Sequence, residues 1–258
     1  MQNLRVALVQ ADLAWHDIGA NIARFDALLS PLAGKADLVA LPEMFTTGFT
    51  MKPSEVSEGM DGQAAAALRR WARELDACVA GSAVILEDGR HYNRLLWARQ
   101  DGTVSHYDKR HLFRMAGEDA VYAPGTLAPV MDIEGWKIRP FICYDLRFPV
   151  WSRNVGNACD LALYVANWPA KRARHWRALL AARAIENQCY VVGVNRVGSD
   201  GNGVAYSGDS MALDYSGEVL VDAGDGEGTR VVELSHETLA AYRSSFPAWK
   251  DADPFTLG

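Results

Sequence analysis

The stretch Leu161-Ala162-Leu163-Tyr164-Val165-Ala166 has no charged residue and no polar alternation. A continuous apolar run of this length suits a strand covered on both faces, because a half-exposed strand alternates. Beyond it, Trp176, Leu179, Leu180 and Ala184 recur at helical spacing, and a second apolar run extends from Tyr190 to Val197. Strand, helix and strand in that order predict a βαβ unit. Similar strand-type runs occupy Arg5 to Gln10, Asp37 to Leu41, Cys78 to Leu86, Arg94 to Arg99 and Lys137 to Cys143. Between them, Ile22, Phe25, Leu28, Leu29 and Leu32 fall on one helical face. Ala64, Leu68, Trp71 and Leu75 form another, after Asp61 as a candidate N-cap. The segment 207–220 reads as a hairpin turning at Tyr215-Ser216-Gly217, followed by a strand from Thr229 to Leu234 and a last helix from about Glu237 to Tyr242. This order predicts an α/β fold with mixed sheets and helices outside. No linker or internal repeat divides the chain, so one domain is expected over 1–258, with a core at about 4–235 and a C-terminal helix and tail at about 236–258. The tail, from Phe246 to Phe255, is aromatic and interrupted by proline. It reads either as a strap over its own domain or as an arm covering a partner.

Composition narrows the function. The chain has 258 residues, of which 49% are hydrophobic, enough for a large core. Its formal net charge of −6 argues against nucleic acid, whose binding draws on a basic face and counterion release. The N-terminal apolar run is too short for a secretory signal, and nothing approaches the roughly 20 apolar residues that span a bilayer. Cysteines 78, 143, 159 and 189 have no paired or C-x-x-C spacing, which fits free thiols in a reducing compartment. A cytoplasmic protein is expected, with no membrane and no nucleic-acid partner.

Several chemistries lack their motifs. There is no G-x-G-x-x-G after the first strand, no G-x-x-x-x-G-K-[ST], no G-x-S-x-G and no H-E-x-x-H. His106 and His111 flank Lys109 without a third ligand nearby, so they read as surface or hydrogen-bonding histidines, and no metal site is expected. Reactive residues remain at the ends of apolar runs. Glu43 follows Asp37-Leu38-Val39-Ala40-Leu41-Pro42, Lys109 follows Val104-Ser105-His106-Tyr107-Asp108, and Cys143 ends Lys137-Ile138-Arg139-Pro140-Phe141-Ile142. In open α/β sheets, sites gather beyond the carboxyl ends of strands. Each residue also has a structural explanation: a cap or surface acid, a solvated turn, a small buried hydrophobe.

Leu41-Pro42-Glu43-Met44-Phe45, Tyr107-Asp108-Lys109-Arg110-His111-Leu112-Phe113 and Cys143-Tyr144-Asp145-Leu146-Arg147-Phe148-Pro149 resemble the three catalytic blocks of the nitrilase (carbon–nitrogen hydrolase) superfamily. Asn167-Trp168-Pro169, Arg183-Ala184-Ile185-Glu186-Asn187-Gln188 and the Gly208-x-Ser210 segment with Asp214 and Gly217 fit the same pattern, so the resemblance runs from residue 5 to about 235. Within the superfamily the chain is most similar to the ω-amidase branch. The resemblance implies a four-layer αββα sandwich of two mixed sheets flanked by helices. It also implies deamidation of 2-oxo dicarboxylic acid monoamides such as 2-oxoglutaramate and 2-oxosuccinamate, through a cysteine thioester and without a cofactor.

The implied roles are Cys143 as nucleophile, Glu43 as general base, and Lys109 with the Tyr144 backbone N–H as oxyanion stabilisers. Glu118 rather than Asp119 would orient Lys109. The substrate would be an anionic small molecule whose carboxylate needs a cation. Lys171, Arg172 and Arg174 cluster after Asn167-Trp168-Pro169, and Arg172 is the first choice. Trp168 and Phe45 are candidates to wall the pocket, with Tyr122 and Met115 at its entrance. Arg147 is expected to pair with Asp145 or with a subunit neighbour, and Arg183 with Glu186 as a surface ion pair. Relatives suggest a homodimer through the segment Phe148 to Asn157 and the tail. The alternatives are another amide, carbamoyl compound or nitrile as substrate, an ammonia-supplying glutaminase, or a silent partner-binding relative. A supplying domain would be expected to continue into a synthetase beyond residue 258, and a silent one to lack a member of the trio.

Overall fold

The computed structural model describes residues 2–256. The strands, in chain order, are β1 Leu4–Gln10, β2 Leu38–Ala40, β3 Cys78–Glu87, β4 Arg90–Ala98, β5 Val104–Asp108, β6 Met131–Ile133, β7 Trp136–Ile142, β8 Leu161–Ala166, β9 Tyr190–Asn195, β10 Val197–Ser199, β11 Ala205–Ser207, β12 Met211–Leu213, β13 Val219–Asp222 and β14 Gly228–Leu234. The helices are α1 Ile18–Leu29, α2 Pro53–Val56, α3 Gln63–Leu75, α4 Glu118–Val121, α5 Ala173–Asn187 and α6 His236–Ser245. Two six-stranded sheets result, ordered β14-β1-β2-β3-β4-β5 and β13-β12-β9-β8-β7-β6. Each is mixed in the same way. A parallel trio, β1-β2-β3 in one and β7-β8-β9 in the other, is flanked by antiparallel neighbours.

The alternation of side chains along β1 and β2 shows the layering. Val6, Leu8, Leu38 and Ala40 point into a core shared with Ile138, Leu161, Leu163 and Val165 of the second sheet. Ala7, Val9 and Val39 point the other way, against Phe25 and Leu29 of α1 and Leu68 and Trp71 of α3. Both faces are covered, which is why these strands read as unbroken apolar runs. Trp176 and Leu180 of α5 pack against the opposite face of the second sheet, where Gly193 of β9 lies beside Tyr164 of β8. Gly193 in β9 permits their approach, since a Cβ there would stand 2.6 Å from a Leu180 methyl and 2.7 Å from the Trp176 ring. The expected αββα sandwich is the observed one.

Several local expectations change. The residue before α3 is Gly62, and its side chain supplies no cap. The Glu58 carboxylate takes the free N–H groups of Gln63 and Ala64, at 2.7 and 3.1 Å, so Asp61 is not the cap. The run Tyr190 to Val197 divides into β9 and β10, and β10 pairs with β11 in a separate two-stranded hairpin. The start of the tail is tied to its own chain: Gln188 donates to the Phe246 carbonyl at 2.7 Å and accepts from Trp249 N at 3.1 Å. Phe246 and Phe255 remain exposed. Among the described residues no helix is long and apolar enough to cross a membrane.

Candidate active site

The parallel strands of both sheets end at one place. Glu43 follows β2, Cys143 follows β7 and Asn167 follows β8, while Lys109 follows the antiparallel β5. Lys109 and Glu118 are buried and ion-paired. Lys109 Nζ donates to Glu43 Oε1 at 2.9 Å and to both Glu118 oxygens at 3.0 and 2.9 Å. Glu118 also accepts from Phe113 N at 2.5 Å. Asn93 Nδ2 bridges Glu43 Oε1 and Glu118 Oε1, at 2.8 and 3.2 Å. Asn167 N donates to Glu43 Oε2 at 2.8 Å, and its amide nitrogen donates to the Glu43 carbonyl at 2.6 Å. Asp119 lies outside this cluster, 3.6 Å from Arg114 on the surface.

Cys143 sits where β7 breaks into a 3₁₀ turn, in the left-handed region at φ 43°. A non-glycine residue held there costs about 1–3 kcal/mol and persists only where its surroundings enforce it. Asp145 enforces it by accepting from Ile142 N at 3.0 Å and from the Tyr107 hydroxyl at 2.7 Å. Its other oxygen accepts from His111 N at 3.0 Å and meets His111 Nδ1 at 2.8 Å. Asp145 therefore has no place for Arg147. That guanidinium instead donates to His175 Nδ1 at 3.0 Å and lies over the Trp168 ring, correcting the expected Asp145–Arg147 pair.

Burial pushes the Cys143 thiol well above its ordinary pKa, and Glu43 and Glu118 add to the rise while Lys109 opposes it. The group is thus a thiol, not a free thiolate, at neutral pH. Burial works against the charge on Lys109, but Glu118, Glu43 and Cys143 outweigh it, so its pKa is raised. Burial also raises Glu118, with Lys109 opposing and Glu43 assisting.

Cys143 and Lys109 line a cavity of about 660 Å³. Tyr144, Trp168, Arg172 and Met115, singled out from sequence, line it too. The Arg172 guanidinium lies over the Phe113 ring and has no carboxylate in ion-pair reach among the described residues.

Two candidates are not in the wall. Met44 takes a left-handed conformation, φ 45°, which turns the chain so that Phe45 packs into the helix-side core against Phe25 and Trp71. Phe49, one turn on, lines the cavity in its place and lies 5.1 Å from Lys109 Nζ. Tyr122 braces the wall from behind, its hydroxyl donating to the Thr50 carbonyl at 2.8 Å. Arg183 does pair with Glu186, at 2.8 Å, but it is buried and also donates to the Leu146 carbonyl. It therefore anchors α5 beneath the Cys143 turn instead of decorating a surface.

Sequence reasoning missed Asn93, Phe49 and the β10–β11 hairpin, whose Asp200 and Tyr206 line the cavity. Asn93 carried a signal, a polar amide set among strand-type residues. The hairpin carried none. Among the described residues no group of three His, Cys, Asp or Glu side chains forms a metal-holding arrangement.

This layout defines a class, the hydrolases of carbon–nitrogen bonds built on two packed mixed sheets. The chain belongs to the carbon–nitrogen hydrolase family of the nitrilase superfamily, whose family model matches residues 5–244. It is 49% identical to the omega-amidase YafV of Escherichia coli K12 over the full length of both chains. It is 31% identical to the 2-oxoglutaramate amidase of Bacillus subtilis, covering 95% of this chain and 96% of that one. Among solved structures, XC1258 of Xanthomonas campestris superposes with a TM-score of 0.98 at 46% identity over both full chains. XC1258 is a CN-hydrolase superfamily protein with an arsenic adduct in its active site.

Proposed function

We propose that the protein deamidates 2-oxo dicarboxylic acid monoamides, 2-oxoglutaramate and 2-oxosuccinamate, to the 2-oxo diacid and ammonia. The observation that carries the chemistry is the Cys143 thiol in the cavity wall with Lys109, backed by the buried carboxylates of Glu43 and Glu118 that hold Lys109. The acyl preference is supported by relatives named for omega-amidase and 2-oxoglutaramate amidase activity and by Arg172 in the cavity wall, which has no carboxylate partner among the described residues.

The raised pKa of the thiol means that its proton leaves during attack, not before it. Cys143 Sγ bonds to the amide carbon as Glu43 accepts the thiol proton. The charge that develops on the carbonyl oxygen meets Lys109 Nζ and the Tyr144 N–H. Glu43 returns the proton to the leaving nitrogen, ammonia departs and a thioester remains. Water, deprotonated by Glu43, then attacks the thioester, releases the acid and restores the thiol. Glu118 keeps Lys109 in position throughout, and no step calls for a metal or organic cofactor. Trp168 walls the acyl site and Arg172 pairs with the distal carboxylate.

The same reading takes residues 1–258 as one hydrolase domain acting in the cytoplasm, on a small anionic amide and not on nucleic acid or membrane. It also takes the protein as a homodimer. Val150 and Val155 are 54% and 60% exposed, and the tail residue Phe255 is 44% exposed. Val150 and Phe255 line one surface cavity. Sedimentation at micromolar concentration tests the dimer, and a monomer overturns it.

The activity is tested by ammonia release from 2-oxoglutaramate, 2-oxosuccinamate, glutamine, asparagine, N-carbamoyl amino acids and simple nitriles. The 2-oxo amides should turn over fastest, and Cys143→Ala should abolish release with an unchanged melting temperature. Full activity in Cys143→Ala would overturn the mechanism. Turnover of a carbamoyl compound with inert 2-oxo amides would overturn the substrate class alone.

A further inference from the structure

Asn93 is placed to touch no substrate, yet it joins the groups that would. Its backbone carbonyl accepts from Lys109 N at 3.0 Å, and its Nδ2 donates to Oε1 of both Glu43 and Glu118. On the other side, Asn93 Oδ1 accepts from Ser82 Oγ at 2.8 Å, and Ser82 Oγ accepts from Met44 N at 2.8 Å. Asn93 is 1% exposed and Ser82 is 0% exposed, so bulk water does not compete for these bonds.

The direction of this chain is fixed from one end. A backbone N–H can only donate, so the Ser82 hydroxyl accepts from Met44 and has a single proton left, which goes to Asn93 Oδ1. With its oxygen engaged, the amide offers only hydrogens on the opposite side, one to each carboxylate. The flipped amide would aim an oxygen at two carboxylates and leave a buried hydroxyl proton without an acceptor, at about 1–3 kcal/mol for each unsatisfied group. Oε1 of Glu43 and Oε1 of Glu118 are therefore both acceptors. Oε1 of Glu43 receives two donors, Asn93 and Lys109. Oε2 receives Asn167 N, which leaves it a lone pair. The carbonyl of the same Asn167 lies 4.0 Å from Cys143 Sγ, and Oε2 is the Glu43 oxygen that keeps a lone pair for the thiol proton.

We propose that Asn93 is a positioning residue for proton transfer: the Met44–Ser82–Asn93 relay keeps Glu43 Oε1 an acceptor and directs the proton leaving Cys143 to Oε2. In the transfer the S–H bond breaks, an O–H bond forms at Oε2, and the sulfur pair attacks the carbonyl carbon. The inference rests on the reading of Glu43 as the proton acceptor. It does not depend on which amide is hydrolysed.

Asn93→Ala and Ser82→Ala test it, with two readouts taken against pH. One is kcat and KM for 2-oxoglutaramate. The other is the rate of Cys143 alkylation by iodoacetamide, with Cys143→Ala as the blank. A carboxylate that loses a donor holds a proton more tightly, so the acid limb of kcat/KM and the alkylation profile should both move to higher pH, by about one unit in Asn93→Ala. The kcat of Asn93→Ala should fall on the order of 100-fold with KM little changed. Ser82→Ala, which keeps the amide but removes the lock on its orientation, should shift both profiles in the same direction by less. Profiles that coincide with the wild type in both variants, however far kcat falls, would make Asn93 merely structural and overturn the proposal. If Asn93→Ala does not fold, the Ser82→Ala profiles decide by the same criterion. Shifted alkylation in a protein that leaves every 2-oxo amide intact would sink the substrate assignment and support the relay.

Discussion

Lys109 is a cation set between two carboxylates with almost no water to share the work. Removing one partner from such a cluster costs about 3–5 kcal/mol, because a buried charge is left uncompensated. Lys109→Met should therefore destabilise the protein by that order at pH 7 and abolish activity. The sign of its pH dependence follows from Glu118, whose folded pKa is already above the ordinary carboxylate value through burial, with Lys109 opposing the rise. Without Lys109 that pKa climbs further. A carboxyl whose folded pKa exceeds its unfolded pKa loses stability as pH rises through the interval between them. The variant should thus regain part of its loss between pH 7 and 5, when unfolded by urea, and an equal deficit at both pH values would refute this account. At this scale the sequence made Glu43, Lys109 and Cys143 visible as candidates, because motif and position at run ends pointed together, and Glu118 only through the family resemblance. Phe45 was misassigned because the direction of a side chain after a turn depends on the φ of Met44, which no residue type announces. Asn93 went unnoticed because its role exists only once β4 lies beside the other elements.

Among the elements, α3 shows how a helix start can be secured from outside its own first turn. Glu58 lies four residues before the Gly62 N-cap position, yet its carboxylate takes two of the free N–H groups. Glu58→Ala should cost about 1 kcal/mol, the usual worth of a cap, whereas Asp61→Ala should stay within about 0.5 kcal/mol, as for an exposed residue away from such features. Urea midpoints compare the two, and equal losses would return the cap to Asp61. The strands legible in advance, β1, β8 and β9 among them, are buried on both faces and so leave a continuous apolar signal. The short β6, β10 and β11 have three residues each, too few for any period. The β10–β11 hairpin nevertheless forms one wall of the cavity, so part of the specificity is written in the segment least readable from sequence.

Over the whole molecule, a net charge of −6 repels an anionic substrate, and the cavity must reverse that field locally. Lys52, Lys109, Arg147, Lys171 and Arg172 line it, and among the described residues Asp200 is the one carboxylate in the lining. Lys52 is partly answered by Glu55 at 3.2 Å, and Arg147 is engaged with His175. Arg172, stacked on Phe113, is the cation best placed to keep its charge for a ligand. A fixed guanidinium on a carboxylate is worth about 1.5–3 kcal/mol, so Arg172→Ala should raise KM for 2-oxoglutaramate roughly tenfold or more while leaving an uncharged amide of similar length nearly unaffected. Steering by the cavity field is a separate contribution and depends on salt, since the Debye length falls from about 10 Å at 0.1 M to about 3 Å at 1 M. The kcat/KM for the anionic amide should decline across that range while that for the uncharged amide stays level. Parallel slopes for the two substrates would refute the steering, whereas equal KM effects of Arg172→Ala on both would remove Arg172 from the carboxylate site and leave Lys171 as the next cation to test.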